Sequence, residues 1–395
     1  MHRGVIRGAA TRLRGAGLPM VLFVFLGVDA AMLLPSDASI YHRFASHALA
    51  SPLLRTLPRE YPAASVGIFV LPLLLPLPYN LSFTVVAVVA SLALLASSDG
   101  LATCPGWSRR ASLYALLGTV GVAFSRYDIF PAATAFAAVE CARRGKWGRG
   151  WAWAVGGGLL KLFPFVLLPG FFLLERRLTG RFPWARAFSA GAVVSLVAVV
   201  QSVVAPGSFL SPVRYQLDRG FQLGSTGGSL TFLTDPLHVR WGFAFGAWQD
   251  FGSFASAISL ALLVVTVVGL GAVWACAGRG RLSVEAASLA ALSVCVVGDK
   301  AFSPQYMLWL IPLWAYWPLR KGWLAAAGLC TLVFPVLFLE AAFVGPGFYW
   351  ATGAAVARNL VLTMATAQWL RAELRSNWAL PETTALARGA DYLPI

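Results

Sequence analysis

The sequence predicts an all-α polytopic membrane protein, and three observations carry that expectation. Of 395 residues, 58% are hydrophobic and only 12% charged, whereas soluble domains hold about a quarter charged residues. The apolar residues gather into runs that meet or approach the ~20 residues a helix needs to cross ~30 Å of hydrocarbon. The basic residues cluster between those runs on alternate turns, as expected when Lys and Arg are held on the cytoplasmic side. Lipid offers no water to backbone amides, so helices are the expected form of each run.

The elements follow in chain order. Residues 17–35, behind Arg3, Arg7, Arg12 and Arg14, form the first span and read as an uncleaved signal anchor. A cleaved signal peptide is the alternative, with Val28-Asp29-Ala30 as a loose cleavage site. An outer loop is expected over 36–61. The run 62–76 is apolar, yet another span at 81–97 follows almost at once. Two full crossings there would put every later basic cluster on the wrong side, so 62–76 is expected as a juxtamembrane or re-entrant helix on the outer face. The run 150–174 lies between two basic clusters and has to go out and return. Two short helices meeting near Lys161-Leu162-Phe163-Pro164 satisfy this, because proline lacks the N–H that would continue a helix.

Further spans are expected at 187–204, 254–277, 322–339 and 351–370. With Arg109-Arg110, Arg143 to Arg149, Arg176 to Arg186, Arg279/Arg281, Arg320-Lys321 and Arg371/Arg375/Arg388 inside, the cytoplasmic face holds roughly twice the basic residues of the other. About twelve crossings with both termini cytoplasmic then result. Loops 205–250 and 340–349 fall outside, and Gly220, Gly224, Gly227 and Gly228 suggest tight turns in the first of them. One integral-membrane domain is expected over 1–375, followed by a loose cytoplasmic tail over 376–395. Five scattered cysteines without a CxxC suggest neither a disulfide framework nor a zinc site. The net charge of +15 sits beside the spans, so membrane lipids, not nucleic acid, are its expected partner.

An ionisable group facing lipid costs several kcal/mol unless it lines a cavity or finds a partner. The outer-face charges therefore carry the functional argument. They fall in six clusters: Asp37, Tyr41, His42 and Arg43; Arg59, Glu60, Tyr61 and Pro62; Arg126, Tyr127 and Asp128; Lys161; Arg214, Tyr215, Gln216, Arg219, Gln222 and Ser225; and Asp299, Lys300, Ser303, Gln305 and Tyr306. Each has a bland reading. Asp37 suits a solvated helix end, Glu60 a helix cap, Lys161 a snorkelling lysine and His42 a loop histidine; Arg126–Asp128 and Asp299–Lys300 suit local ion pairs. What these readings leave unexplained is why so many sequence-distant clusters share one face.

Cations converging with carboxylates at a lipid boundary suit a phosphorylated lipid substrate. Arg and Lys would hold the phosphate, and a carboxylate would accept a proton from an incoming hydroxyl. The same cations would stabilise charge on a departing phosphate. The sequence has no P-loop, HExxH or GxSxG in a supporting context, and no soluble nucleotide-sugar domain. A divalent metal among Asp37, Glu60 and Asp128 stays open. The rival readings are a transporter or flippase of a lipid-linked sugar, where broken helices and intramembrane charges also occur, and a non-catalytic membrane scaffold.

These clusters resemble the integral-membrane glycosyltransferases of the GT-C class, most closely glycosyltransferase family 87 of polyprenol-phosphate-mannose-dependent mannosyltransferases. The resemblance rests on Asp37 followed by Tyr41-His42-Arg43-Phe44-Ala45, and on Arg59-Glu60-Tyr61-Pro62. It extends through Arg126-Tyr127-Asp128-Ile129-Phe130-Pro131-Ala132, Lys161-Leu162-Phe163-Pro164 and Lys300-Ala301-Phe302-Ser303-Pro304-Gln305-Tyr306. The chain departs from the family pattern at Ala63, where a second proline is usual, and at Gly224, where an acidic residue is expected nearby.

The resemblance implies a GT-C-like helical bundle in a cell membrane with its active site on the extracytoplasmic face. It implies transfer of a sugar, mannose in the family, from a polyprenyl-phosphate donor to a lipid- or glycan-linked acceptor, with inversion. Asp37 matches the family's catalytic aspartate in the first outer loop. Arg126, Asp128, Lys161, Arg219 and Lys300 are then expected at the donor phosphate and sugar. Tyr41, His42, Glu60, Tyr61, Gln222, Gln305 and Tyr306 are expected at the acceptor or in support, with Glu60 the alternative base.

Overall fold

A computed structural model describes residues 2–34, 36–50, 57–96, 104, 106–234, 240–252, 254–337 and 346–378. The chain is helical almost throughout. The first helix, α1 (His2–Leu33), breaks at Gly17, where the basic segment gives way to the apolar run. The helix α2 (Ala38–Ala50) follows within the expected outer loop. Next come α3 (Ser65–Val70), a 3-10 turn Leu71–Leu74 and α4 (Tyr79–Ala96). The α3 segment and α4 differ in direction by 113°. Pro76 and Pro78 lie in the bend, so the apolar run does not pass straight into the next helix, as the sequence predicts.

The helices α5 (Trp107–Gly118), α6 (Ile129–Arg143) and α7 (Trp147–Leu160) form the next unit. The expected break near Pro164 is present. Helix α7 stops at Leu160, Lys161 turns to extended backbone (φ −153°, ψ 134°), and a 3-10 turn Phe163–Val166 leads into α8 (Leu167–Thr179). Then come α9 (Trp184–Val204), α10 (Ser211–Asp218), α11 (Thr226–Thr234), α12 (Ala255–Gly278), α13 (Val284–Gly298), α14 (Met307–Trp314), α15 (Lys321–Thr331) and α16 (Pro346–Trp378). Residues 376–378 of the expected tail are thus helical, and 379–395 lie outside the described residues, as does 340–345 of the expected outer loop.

Among the described residues, α9 and α12 are long and apolar enough to cross a membrane. The bent pairs Gly17–Leu33 with Ala38–Ala50 and Ser65–Leu74 with Tyr79–Leu94 bring the number to four if each pair is one span. The α9 span leaves its apolar surface outside the packed core, which is what a lipid-facing helix requires. The shorter helices α5, α6, α13, α14 and α15 pack inside with α16. Trp107, Trp314, Trp323 and Trp369 are fully buried there, with Trp314 and Trp323 stacked at 5.2 Å; burial of such rings dominates the packing energy.

One feature departs from an all-helical expectation. The segment 205–250 holds a small antiparallel sheet of β1 (Phe221–Gln222), β2 (Trp241–Ala244) and β3 (Ala247–Asp250), in the order β1-β3-β2. Strands this short show no extended alternation, so periodicity does not announce them. The β2–β3 hairpin is turned by Phe245 and Gly246.

Candidate active site

The polar clusters gather at one end of the bundle because of where the helices begin and end. Asp37 immediately precedes α2 and Asp128 precedes α6; Lys161 follows α7, Asp299 follows α13, and 300–306 lead into α14. These helix ends surround a cavity of about 1100 Å³. Asp37, Arg126 and Lys161 line it from one side, Glu60 and Tyr61 from the end of the first loop. Arg219, Gln222, Lys300, Gln305 and Tyr306 line it from the later segments. Ten of the expected site residues therefore meet, and three do not reach the cavity. Asp128 stands behind Lys161, Tyr41 is buried, and His42 is exposed and stacks on Tyr79 at 4.6 Å.

The first acid is held at a helix start. The Asp37 carbonyl accepts from Tyr41 N at 3.0 Å, placing the carboxylate where the helix dipole favours negative charge. Its Oδ1 pairs with Arg126 Nη1. Ser36 Oγ accepts from Ala38 N at 3.0 Å and donates to Ser125 O at 3.3 Å, tying the first loop to the Arg126 segment. Tyr41 supports both from beneath. Its hydroxyl donates to Asp37 Oδ2 (3.4 Å) and accepts from Tyr127 N (3.2 Å), while its ring stacks on Phe69 at 4.6 Å.

The second acid is deeper. Asp128 is 1% exposed, and its Oδ1 accepts from Lys161 Nζ at 2.7 Å and Trp309 Nε1 at 2.8 Å. Its Oδ2 has no hydrogen-bond partner among the described residues. The Lys161 ammonium lies 5.0 Å from the Tyr306 ring centre and 5.2 Å from that of Trp309, within cation–π reach. Phe163, Trp309 and Tyr306 form a continuous stack at 3.8 and 4.0 Å. Asp128 thus fixes the direction of Lys161, and the lysine presents its charge to the cavity beside an aromatic wall.

The remaining charges form a third group. Burial pushes the Glu60 carboxyl above its usual range, with Arg43 and Arg219 pulling it back. Asp299 is raised for the same first reason, opposed by the Ala301 N–H, Arg219 and Lys161. Lys300 is pushed down by burial and by Arg219. Its ammonium is committed to backbone: it donates to Leu217 O (3.0 Å) and Arg219 O (3.2 Å) at the end of α10. Arg219 donates through Nη1 to Gln216 Oε1 at 3.2 Å, and the Gln249 amide oxygen faces its Nη2 at 2.8 Å. Gln222 N donates to Lys300 O at 2.9 Å, so the two segments share one backbone link.

Sequence reasoning missed Trp309 and the Arg358–Asn359 pair. Trp309 reads as one more core aromatic three residues beyond Tyr306. Arg358 lies in the apolar run of α16 and is fully buried. It donates to Phe302 O at 3.3 Å and to Gly224 O, and Asn359 Nδ2 reaches Gly224 O at 3.1 Å. A Cβ at Gly224 would lie 2.8 Å from Phe302 O. Gly224 stands where an acid was expected because this approach leaves no room for a side chain. Among the described residues, no three His, Cys, Asp or Glu side chains come together as a metal site, and Asp37 and Asp128 each already hold a cation.

Comparisons with known proteins bear on this geometry. A search of curated proteins and a search of solved structures each returned no match. The family model described as glycosyltransferase family 87 matches residues 60–304. The match takes in Glu60, Arg126, Asp128, Lys161, Arg219 and Lys300, and leaves Asp37 and Arg358 on either side. Since it spans more than half of the chain, and the chain carries apolar membrane-spanning helices, the protein belongs to glycosyltransferase family 87 and is a membrane glycosyltransferase.

Proposed function

We propose that the enzyme transfers a sugar, mannose by family resemblance, from a polyprenyl-phosphate donor to a lipid- or glycan-linked acceptor on the extracytoplasmic face of a cell membrane. The observation that carries this reading is the meeting of two acid–cation pairs, Asp37–Arg126 and Asp128–Lys161, at one cavity. The donor phosphate sits against Lys161 and Arg126, with Arg219 beside it. Asp37 takes the proton from the acceptor hydroxyl, whose oxygen bonds to the anomeric carbon. The bond from that carbon to the phosphate oxygen breaks, and polyprenyl phosphate leaves with the electron pair, inverting the configuration. Phosphate binding draws Arg126 away from Asp37 and frees the carboxylate to act as base; Lys161, held by Asp128, stabilises the leaving charge.

The full bundle is proposed as about twelve crossings with both termini cytoplasmic, so that the cavity opens outside. A transporter or flippase of lipid-linked sugar would relocate the lipid without making a glycoside. Incubating the reconstituted protein with radiolabelled polyprenyl-phosphate mannose and membrane acceptors separates the two. Asp37→Asn is expected to lower transfer by about 10²–10⁴-fold with expression and melting temperature retained, the range of general-base loss. Near-normal turnover in that variant would remove Asp37 as base and turn attention to Glu60.

A further inference from the structure

One wall of the cavity carries aromatic rings to which the reaction just described gives no part. Between α10 and the β2–β3 hairpin, Tyr215, Phe245 and Trp248 face the cavity beside Glu60, Gln216 and Arg219. Phe245 is held there in a conformation its side chain does not favour. Its φ is 54°, and among the described residues it is the one non-glycine in the left-handed region. Two-residue hairpin turns with positive φ are ordinarily built from Asn, Asp or Gly. Gly246 fits that rule (φ 69°); Phe245 does not. Tyr215 fixes the outlier in place: its hydroxyl donates to Phe245 O at 3.1 Å, and the two rings meet edge to face at 5.0 Å. An aromatic ring imposed on a turn that would prefer a small polar residue calls for a function.

The chemistry of the wall selects a ligand class. A sugar ring offers a face of C–H groups to an aromatic ring and a rim of hydroxyls to amide, carboxylate and guanidinium groups. Gln216, Glu60 and Arg219 supply that rim. A polyprenyl chain needs an apolar wall, which the cavity provides elsewhere through Leu262 and Leu263 of α12. We propose that Tyr215 and Phe245 form the platform for the acceptor's terminal sugar, so that the acceptor is a glycan-bearing molecule recognised through that ring. This rests on the glycosyltransferase reading above and specifies its acceptor subsite.

The test uses the full chain in lipid nanodiscs, with radiolabelled polyprenyl-phosphate mannose as donor. Octyl α-mannoside, octyl β-glucoside and decanol serve as acceptor probes. Phe245→Gly removes the ring while suiting the turn's positive φ, so the hairpin keeps its backbone. The expected result is saturable transfer to an octyl glycoside, an acceptor KM raised by about tenfold or more in Phe245→Gly, and a donor KM within about twofold of the parent. Phe245→Tyr is expected to restore the acceptor KM. An unchanged acceptor KM, a donor KM rising in parallel, or decanol serving as well as the glycosides would overturn the platform. So would donor hydrolysis without transfer to any glycoside. A parent protein that neither transfers nor hydrolyses the donor would instead overturn the glycosyltransferase reaction proposed above.

Discussion

At the scale of single residues, the two aspartates of the proposed reaction differ in what surrounds them. Asp37 is partly exposed and has one cation, whereas Asp128 is sealed behind a lysine and an indole N–H. A base has to meet the acceptor and exchange its proton, which favours the first; a partner that fixes the direction of Lys161 has to be held in place, which favours the second. Glu60 is a third case. Burial raises its proton affinity, so the folded state holds the proton more tightly than the unfolded chain does. Its contribution to stability is most favourable below the ordinary glutamate value of 4.5 and is lost as pH rises through the raised folded value. Glu60→Gln removes the ionisation. The melting temperature of that variant is expected to equal or exceed the parent's at pH 7 and to fall less between pH 4 and pH 7. A steeper fall in the variant would mean that the Glu60 carboxylate is stabilised by Arg43 and Arg219 more than burial opposes it. These roles follow from environment, which a sequence does not show. The sequence did single out residues that meet at one cavity, because charges between apolar runs stand out; it could not say that Lys300 spends its ammonium on two carbonyls.

At the scale of elements, the breaks were the readable part. Proline at 164 and the basic clusters on either side require a helical pair that returns, and the structure has one, with Lys161 at the corner. What closes the corner was not readable. Gly158 packs directly on the Phe165 ring, and a Cβ there would overlap it. Gly158→Val is therefore expected to destabilise the protein by about 1–3 kcal/mol through overpacking and to lower transfer by displacing Lys161. A variant with parent stability and parent donor KM would show that the corner tolerates more room than this packing implies. The sheet in 205–250 was illegible for a different reason. Its strands run two to four residues, and the Phe245–Gly246 turn lacks the Asn-Gly or Asp-Gly pair that marks a hairpin. Local rules fail at the place where a ring is held against backbone preference.

At the scale of the whole molecule, ion pairs mark both ends of the bundle. The cavity end gathers the mixed acid–cation groups. The other end carries Arg143 and Arg144 on Glu140, joined by Tyr316, and Arg186 on Glu175 with Trp151. Arg143 and Arg144 close α6, whose opposite end begins next to Asp128, behind Lys161 at the cavity. The helices α9 and α12, at 21 and 24 residues, reach ~30–36 Å at 1.5 Å per residue, enough to connect the two water-facing surfaces. In the proposed orientation, with arginine retained on the cytoplasmic side, the cavity opens outside. Reporter fusions test this directly. A phosphatase active only after export, fused after Gly207, is expected to be active, and the same reporter fused after Gly145 or Gly180 inactive. The reverse pattern would turn the cavity toward the cytosol, where an extracytoplasmic acceptor could not reach Asp37, and the direction of the proposed transfer would have to be abandoned even if its chemistry survived.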